Sequence, residues 1–162
     1  MNFISLTENH LFSKAYRSPK RYVTKTLAVY VLKDRHEKRL KKENPMKESL
    51  NRVGISASKK VGGAVERNRA KRVVREAYRQ TDLECGIKRG YIIVIAAREK
   101  ATVVKMQDAM SDLRHALTKL DMLILPDGKN FAPSYEDDRI AELCAQRAKA
   151  SDDGTAGEVK KC

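Results

Sequence analysis

Tryptophan is missing from the 162 residues, and the aromatic complement is limited to six Tyr and three Phe. With so few rings the core must be built mainly from aliphatic side chains. Only 8 Gly and 4 Pro are present, too few for a low-complexity or fibrous chain. The three cysteines, Cys85, Cys144 and Cys162, are odd in number and far apart, without a Cys-x-x-Cys pair or a histidine cluster. That supports neither a disulfide framework nor a structural zinc site. No stretch approaches the roughly 18 apolar residues of a membrane span. The opening residues, MNFISLTENHLFSK, lack a charged leader followed by an apolar run. The expectation is a cytoplasmic protein without a membrane partner.

What the chain has in excess is positive charge: 34 Lys and Arg against 21 Asp and Glu, a net charge of +13. Such a surface collects polyanions, and nucleic acid heads the list of partners. The excess is uneven. Residues 126–162 hold six basic and eight acidic side chains, so the whole positive balance lies in the first 125 residues. Beyond Pro126 the composition shifts to Asp, Ala, Ser and Gly, ending in SDDGTAGEVKKC, which is poor material for a core. The expected organisation is one domain over 1–125 and an acidic, polar, partly disordered extension over 126–162, with a short helix at 139–150.

Within the domain, Thr7 is placed to cap a short helix ending at Arg17, with Leu11, Phe12, Ala15 and Tyr16 on one side. Pro19 in RSPKR interrupts it. TKTLAVYVL then alternates, Leu27, Val29 and Val31 against Ala28, Tyr30 and Leu32, which is a strand pattern; residues 22–24 add a shorter strand before it. Residues 33–51, KDRHEKRLKKENPMKESLN, are charged, contain Pro45 and lack apolar periodicity, which predicts a long solvated connection. RVGISAS puts Val53, Ile55 and Ala57 on one face of a further strand. GYIIVIAA is a nearly continuous apolar run, as in a strand covered on both faces. Residues 105–123 place Met106, Ala109, Met110, Leu113, Leu117 and Leu120 at spacings of three and four, an amphipathic helix. This order predicts an α+β fold, a two-layer sandwich of helices on a mixed sheet of about four strands.

The stretch KKVGGAVERNRAKRVVREAYR carries eight Lys or Arg against two Glu. As a helix over 64–79 at about 100° per residue, with Val65 at zero, it places Val73, Ala77, Ala70 and Val74 between about 80° and 180°. Arg67, Lys71, Arg75 and Arg79 run from about 200° to 320°, with Asn68 among them and Arg72 beside them. Arg69, at about 40°, stands apart and faces either a separate groove or water. Charge runs on helices are usually solvated faces. Three features argue against that here. Like charges at i,i+4 destabilise a free helix, so an anion should compensate. Arg outnumbers Lys, and guanidinium forks suit phosphate. The preceding SKKVGG offers two lysines, two glycines for close approach, and free amides at a helix N-terminus.

SKKVGGAVERNRAKRVVREAYR resembles the signature of the protein subunit of bacterial ribonuclease P, which has Arg-Asn-Arg, here Arg67, Asn68 and Arg69, in a basic helix preceded by Ser-Lys-Lys. The resemblance extends over residues 6–123, including the aromatic first helix, the strand before the motif and GYIIVIAAR after it. It implies a ribosomal protein S5 domain 2-like sandwich with a left-handed crossover through the basic helix, a sense that the general right-handed rule would not give. It implies that Lys59, Lys60, Arg67, Asn68, Arg69, Lys71, Arg72 and Arg75 bind the catalytic RNA subunit. The same resemblance gives the family's cleft between first helix and sheet, with Phe12, Tyr16, Arg17 and Tyr30 binding the 5′ leader of precursor tRNA. Aromatic faces beside cations form a sequence-tolerant platform for unpaired bases. Phe12 taken alone suits a core position equally well. The departures are Gly63 where many members have Asn, RSPKR in place of a Gly-containing turn, and the long 33–51 connection and tail.

No catalytic residue is expected in the chain. His10, His36 and His115 are far apart, Cys85 has no adjacent His, and neither a Ser-His-Asp spacing nor a phosphate-loop motif occurs. The resemblance assigns the chemistry to the RNA subunit with Mg²⁺ bound mainly there. The alternative of another class is a non-catalytic RNA-binding protein of a ribonucleoprotein such as the ribosome. A helix-turn-helix DNA regulator would need a second helix close before the basic one, and none is predicted, so DNA is not an expected partner.

Overall fold

The computed structural model describes residues 3–124, apart from 44 and 46–49. The helix expected at 139–150, like the rest of the tail, lies outside the described residues. In chain order the elements are β1 (Phe3–Ser5), α1 (Asn9–Tyr16), β2 (Arg21–Val23), β3 (Leu27–Lys33), α2 (Glu37–Glu43), β4 (Asn51–Ala57), α3 (Ala64–Cys85), β5 (Tyr91–Ala97) and α4 (Met106–Lys119). The five strands form one mixed sheet ordered β1-β4-β5-β3-β2, one strand more than expected. β1 with β4, and β4 with β5, run parallel, while β3 is antiparallel to both β5 and β2. The parallel neighbours β4 and β5 are joined by the crossover through α3.

Strand alternation divides the core in two. Leu27, Val29, Val31, Val53, Ile93 and Ile95 point to one face and pack against Ala70, Val74, Ala77 and Tyr78 of α3 and Ala109, Leu113 and Leu117 of α4. Each fully buried large side chain of this set contributes about 1.5–3 kcal/mol. On the opposite face, Ile92 and Val94 meet Leu11 and Ala15 of α1, with Phe12 and Tyr30 packed alongside. α1 is too short to cover that face, and this leaves the space in which the site lies.

Several boundaries differ from expectation for local reasons. α1 begins at Asn9, preceded by Glu8 without a side-chain cap, because the chain before it is still in the sheet: Leu6 N–H donates to Val53 O at 2.9 Å. Thr7 therefore has no helix to cap. The 33–51 connection is not all loop. α2 forms there without an apolar stripe, helped by Glu37 in its first turn, Lys41 and Lys42 in its last, and an Arg39–Glu43 pair at 3.0 Å. The basic helix runs on to Cys85 and ends at Gly86, whose φ of 66° suits glycine. α4 stops at Lys119, and Leu123 bridges back to Ile87.

Buried polar groups fix the geometry around the core. Asn51 donates from Nδ2 to Lys88 O at 2.9 Å and accepts the Tyr91 N–H at 3.1 Å, joining the start of β4 to the start of β5. Its second Nδ2 hydrogen reaches the Tyr78 hydroxyl at 3.4 Å; burial pushes that hydroxyl's pKa up, so it stays protonated. Across the sheet, Arg52 forks onto Asp34 (Nε to Oδ2 2.6 Å, Nη2 to Oδ1 2.7 Å) and reaches Glu8 at 3.5 Å. This cluster ties the end of β3, the start of β4 and the N-terminal end of α1.

Candidate nucleic-acid interface

α3 carries the basic face, rotated from where the wheel put it. Its buried residues are Ala70, Val74, Ala77, Tyr78, Thr81, Asp82 and Cys85, whereas Val65 is 83% exposed and Val73 is half-buried. Tyr78 explains the difference. It falls at about 220° on the wheel, between Arg67 and Lys71, and its large ring takes the packed face with it. The exposed stripe is therefore Asn68, Arg72, Arg75 and Arg79, with half-buried Arg67 and Lys71 along one side and exposed Arg69 on the other.

Not all of these cations are free to meet a partner. Arg79 is held by Glu76 through contacts of 2.5–3.2 Å, and the Arg79 guanidinium holds the Glu76 carboxyl below its ordinary pKa. Arg67 donates from Nη1 to Gly62 O at 2.7 Å, bracing the turn before the helix. Arg69 donates from Nε to Thr102 O at 3.2 Å, so it faces neither water alone nor a separate groove but the 3-10 turn Glu99–Thr102. Among the described residues, no carboxylate pairs with Lys59, Lys60, Lys71, Arg72 or Arg75. On this face of the molecule these five remain without an internal counterion among the described residues.

The turn ahead of α3 is also less open than the sequence suggested. Gly62 has φ of 135°, and a Cβ there would run into the Glu66 side chain. The Glu66 carboxylate accepts the Gly63 N–H at 2.6 Å, so one helix-end amide is already occupied by the protein's own anion. Lys59 and Lys60, in the 3-10 turn Lys59–Val61, are exposed in front of it.

Lys60 also belongs to a second feature. An open groove of about 690 Å³ lies on the α1 face of the sheet where α1 ends. Its floor is made by the small side chains Ala28, Ser56 and Ala96, its wall by Tyr16 and Tyr30, and its rim by Lys60, Arg98 and Lys100. Tyr16 and Tyr30 meet edge to face with centroids 5.0 Å apart, and Tyr16 shares a 2.8 Å hydrogen bond with Ser56 Oγ. Tyr16 thus holds a fixed ring at the surface. The other two expected leader residues are elsewhere. Phe12 lies against Gly54, where any Cβ would come within 2.6 Å of its ring, and belongs to the smaller core; it does not line the groove. Arg17 is exposed just beyond α1 and is not among the groove's lining residues. Small floor residues at Ser56 and Ala96, and Arg98 and Lys100 on the rim, were missed; the only signal for them was strand alternation next to a basic turn.

A family model described as Ribonuclease P matches residues 2–121. The chain belongs to the ribonuclease P protein family. It is 37% identical over 114 residues to the ribonuclease P protein component of Clostridium botulinum strain 657, covering 70% of this chain and 91% of that one. It is 50% identical over 80 residues to the same component of Dehalococcoides mccartyi strain CBDB1, covering 49% of this chain and 63% of that one. The match thus spans under two thirds of the length of that relative. The fold matches that of the Staphylococcus aureus RNase P protein with a TM-score of 0.55 at 24% identity, covering 73% of this chain and 95% of that one. The Thermotoga maritima RNase P protein gives 0.53, also at 24%, covering 72% and 94%. The mixed-sheet fold expected from the resemblance is therefore that of solved ribonuclease P proteins, and the family region ends close to the last described residue.

Proposed function

We propose that this chain is the protein subunit of a ribonuclease P, binding the catalytic RNA subunit through α3 and the 5′ leader of precursor tRNA in the groove. The observation that carries the reading is the sharing of Lys60: it heads the unpaired cations of α3 and also forms the rim of the aromatic groove. An RNA held on α3 delivers its strand directly to Tyr16 and Tyr30. A structural ribonucleoprotein component would need the cations but not an adjacent stacking site. The protein's task is electrostatic and positional. It screens phosphate charge and favours the precursor over the mature tRNA, because only the precursor has a leader to fill the groove.

Magnesium is assigned to the RNA in this reading. Among the described residues, no group of three or more His, Cys, Asp or Glu converges on one point. The same reading places the work in the cytoplasm, and among the described residues no helix is long and apolar enough to cross a membrane.

The test is cleavage of a precursor tRNA by the cognate RNA subunit at low magnesium, with and without this protein. Strong stimulation, with no cleavage by the protein alone, is expected; tight RNA binding without stimulation would sink the reading. Arg72→Ala with Arg75→Ala isolates the helix contact, because neither side chain braces the fold as Arg67 and Arg69 do. The log-log salt slope of RNA-subunit binding should fall by about 0.9 per lost duplex phosphate contact, read by titration at several salt concentrations. An unchanged slope would leave both guanidinium groups in solvent.

A further inference from the structure

α2 is a charged helix with no task in the site above. Its exposed Lys38, Lys41 and Lys42 have no carboxylate partner among the described residues. They are spaced at i,i+3 and i,i+4, where like charges weaken a free helix, and this one has only seven residues. An anion laid across it would remove that repulsion. Between α2 and the start of α1 is a hollow of about 280 Å³ lined by Glu8, His10, His36, Arg39, Glu43 and Arg52. Its charges are paired with one another, Arg52 with Glu8 and the adjacent Asp34, and Arg39 with Glu43, so the cations this corner offers are the three lysines of α2.

The position of this corner gives it meaning. α1 packs over β5 and β3, and its side chains reach β4 in order: Glu8 meets Arg52, Phe12 covers Gly54, and Tyr16 bonds Ser56. The groove is at the Ser56 end and the α2 corner at the Asn51 end, about 17 Å apart at some 3.3 Å per strand residue. Between them, exposed His10, Lys14 and Arg17 follow one another at spacings of four and three, so they share the solvent side of α1. Polar and cationic side chains thus continue from the groove to α2. Because Lys59, Lys60 and the start of α3 are at the groove end, a strand arriving from that side leaves toward α2.

We propose that the lysine face of α2 forms a second phosphate-binding surface for the RNA strand in the groove, holding leader nucleotides farther from the cleavage site; this rests on the reading given under Proposed function. The sequence-tolerant contact is to phosphate, since lysine ammonium groups recognise charge and not base edges.

The experiment uses the reconstituted holoenzyme with the triple variant Lys38→Ala, Lys41→Ala, Lys42→Ala and precursors whose leaders have about 4 or about 16 nucleotides, the span of single-strand site sizes. All three side chains are exposed, and relief of their mutual repulsion offsets the lost charge at the helix end, so the thermal midpoint should be unchanged. For the long leader, the log-log salt slope of precursor binding should fall by about 0.7 per lost single-strand contact, about two units for three. The short leader and the RNA subunit should bind as to the wild type. Equal loss for both leaders, or loss of RNA-subunit binding, would place α2 against the RNA body and overturn the proposal. Unchanged binding of the long leader would make α2 a solvated helix. If the wild-type holoenzyme does not prefer either precursor to mature tRNA, the functional reading itself fails.

Discussion

Asp34→Ala should lower the unfolding free energy by about 3–5 kcal/mol, the usual cost of leaving one member of a buried ion pair without its partner. The Asp34 side chain is 1% exposed and that of Arg52 9%, so water cannot replace the lost carboxylate. Three elements loosen together, because Arg52 also reaches Glu8 ahead of α1, and Asp34 Oδ1 accepts the His36 N–H at 2.8 Å ahead of α2. The companion prediction separates this mechanism from simple loss of volume. Asp34→Leu with Arg52→Met should cost less than Asp34→Ala alone, since no charge is then stranded. A double variant as unstable as the sum of its singles would show that packing, and not the pair, holds this corner. Acid has a defined effect as well. Burial raises the Asp34 pKa, but hydrogen bonds from Arg52 and the His36 amide outweigh it and hold the carboxyl below its ordinary value. The unfolded chain therefore binds the proton first. The stabilisation is complete above about pH 4 and is lost as pH falls through the lower folded value. Denaturant titrations at several pH values should show a shallower acid loss in Asp34→Asn than in the wild type.

That pair was not legible in the sequence, and the reason is general. Asp34 and Arg52 are separated by the 33–51 connection, and only the antiparallel return of β3 beside β5, with β4 on the other side, brings them together. Periodicity reads which face a residue takes and not which distant residue it meets. The faces were read correctly for β3 and β4, where Leu27, Val29, Val31 and Val53 enter the large core. The wheel of α3 erred because aromatic Tyr78 was left out of the apolar stripe. β1 was missed because three residues are too short to show alternation, and α2 because a helix without an apolar face has no period to detect. For the candidate site, the unpaired cations were legible as a charge run. That Glu66 and Glu76 occupy Gly63 and Arg79 was not, since either acid could equally have faced water.

Tyr16→Leu with Tyr30→Leu should leave RNA-subunit binding intact yet reduce the preference for precursor over mature tRNA by about 5- to 150-fold, the equivalent of about 1–3 kcal/mol for one stacked base. One base is the sensible count, because the two rings meet edge to face at 5.0 Å and together make a single corner. Leucine keeps most of the apolar volume, so the small core behind Tyr30 should survive, and a thermal melt near the wild-type midpoint would verify it. The variants also remove the hydrogen bond from Tyr16 to Ser56, which Tyr16→Phe tests separately. If Tyr16→Phe retains discrimination while the double leucine variant loses it, the ring face binds the base and the hydroxyl only orients it. If the double variant discriminates as well as the wild type, the leader does not stack here, and the cations of the rim would have to account for precursor preference alone. That outcome would also predict a preference steeply dependent on salt, since a purely ionic rim releases counterions for every contact it makes.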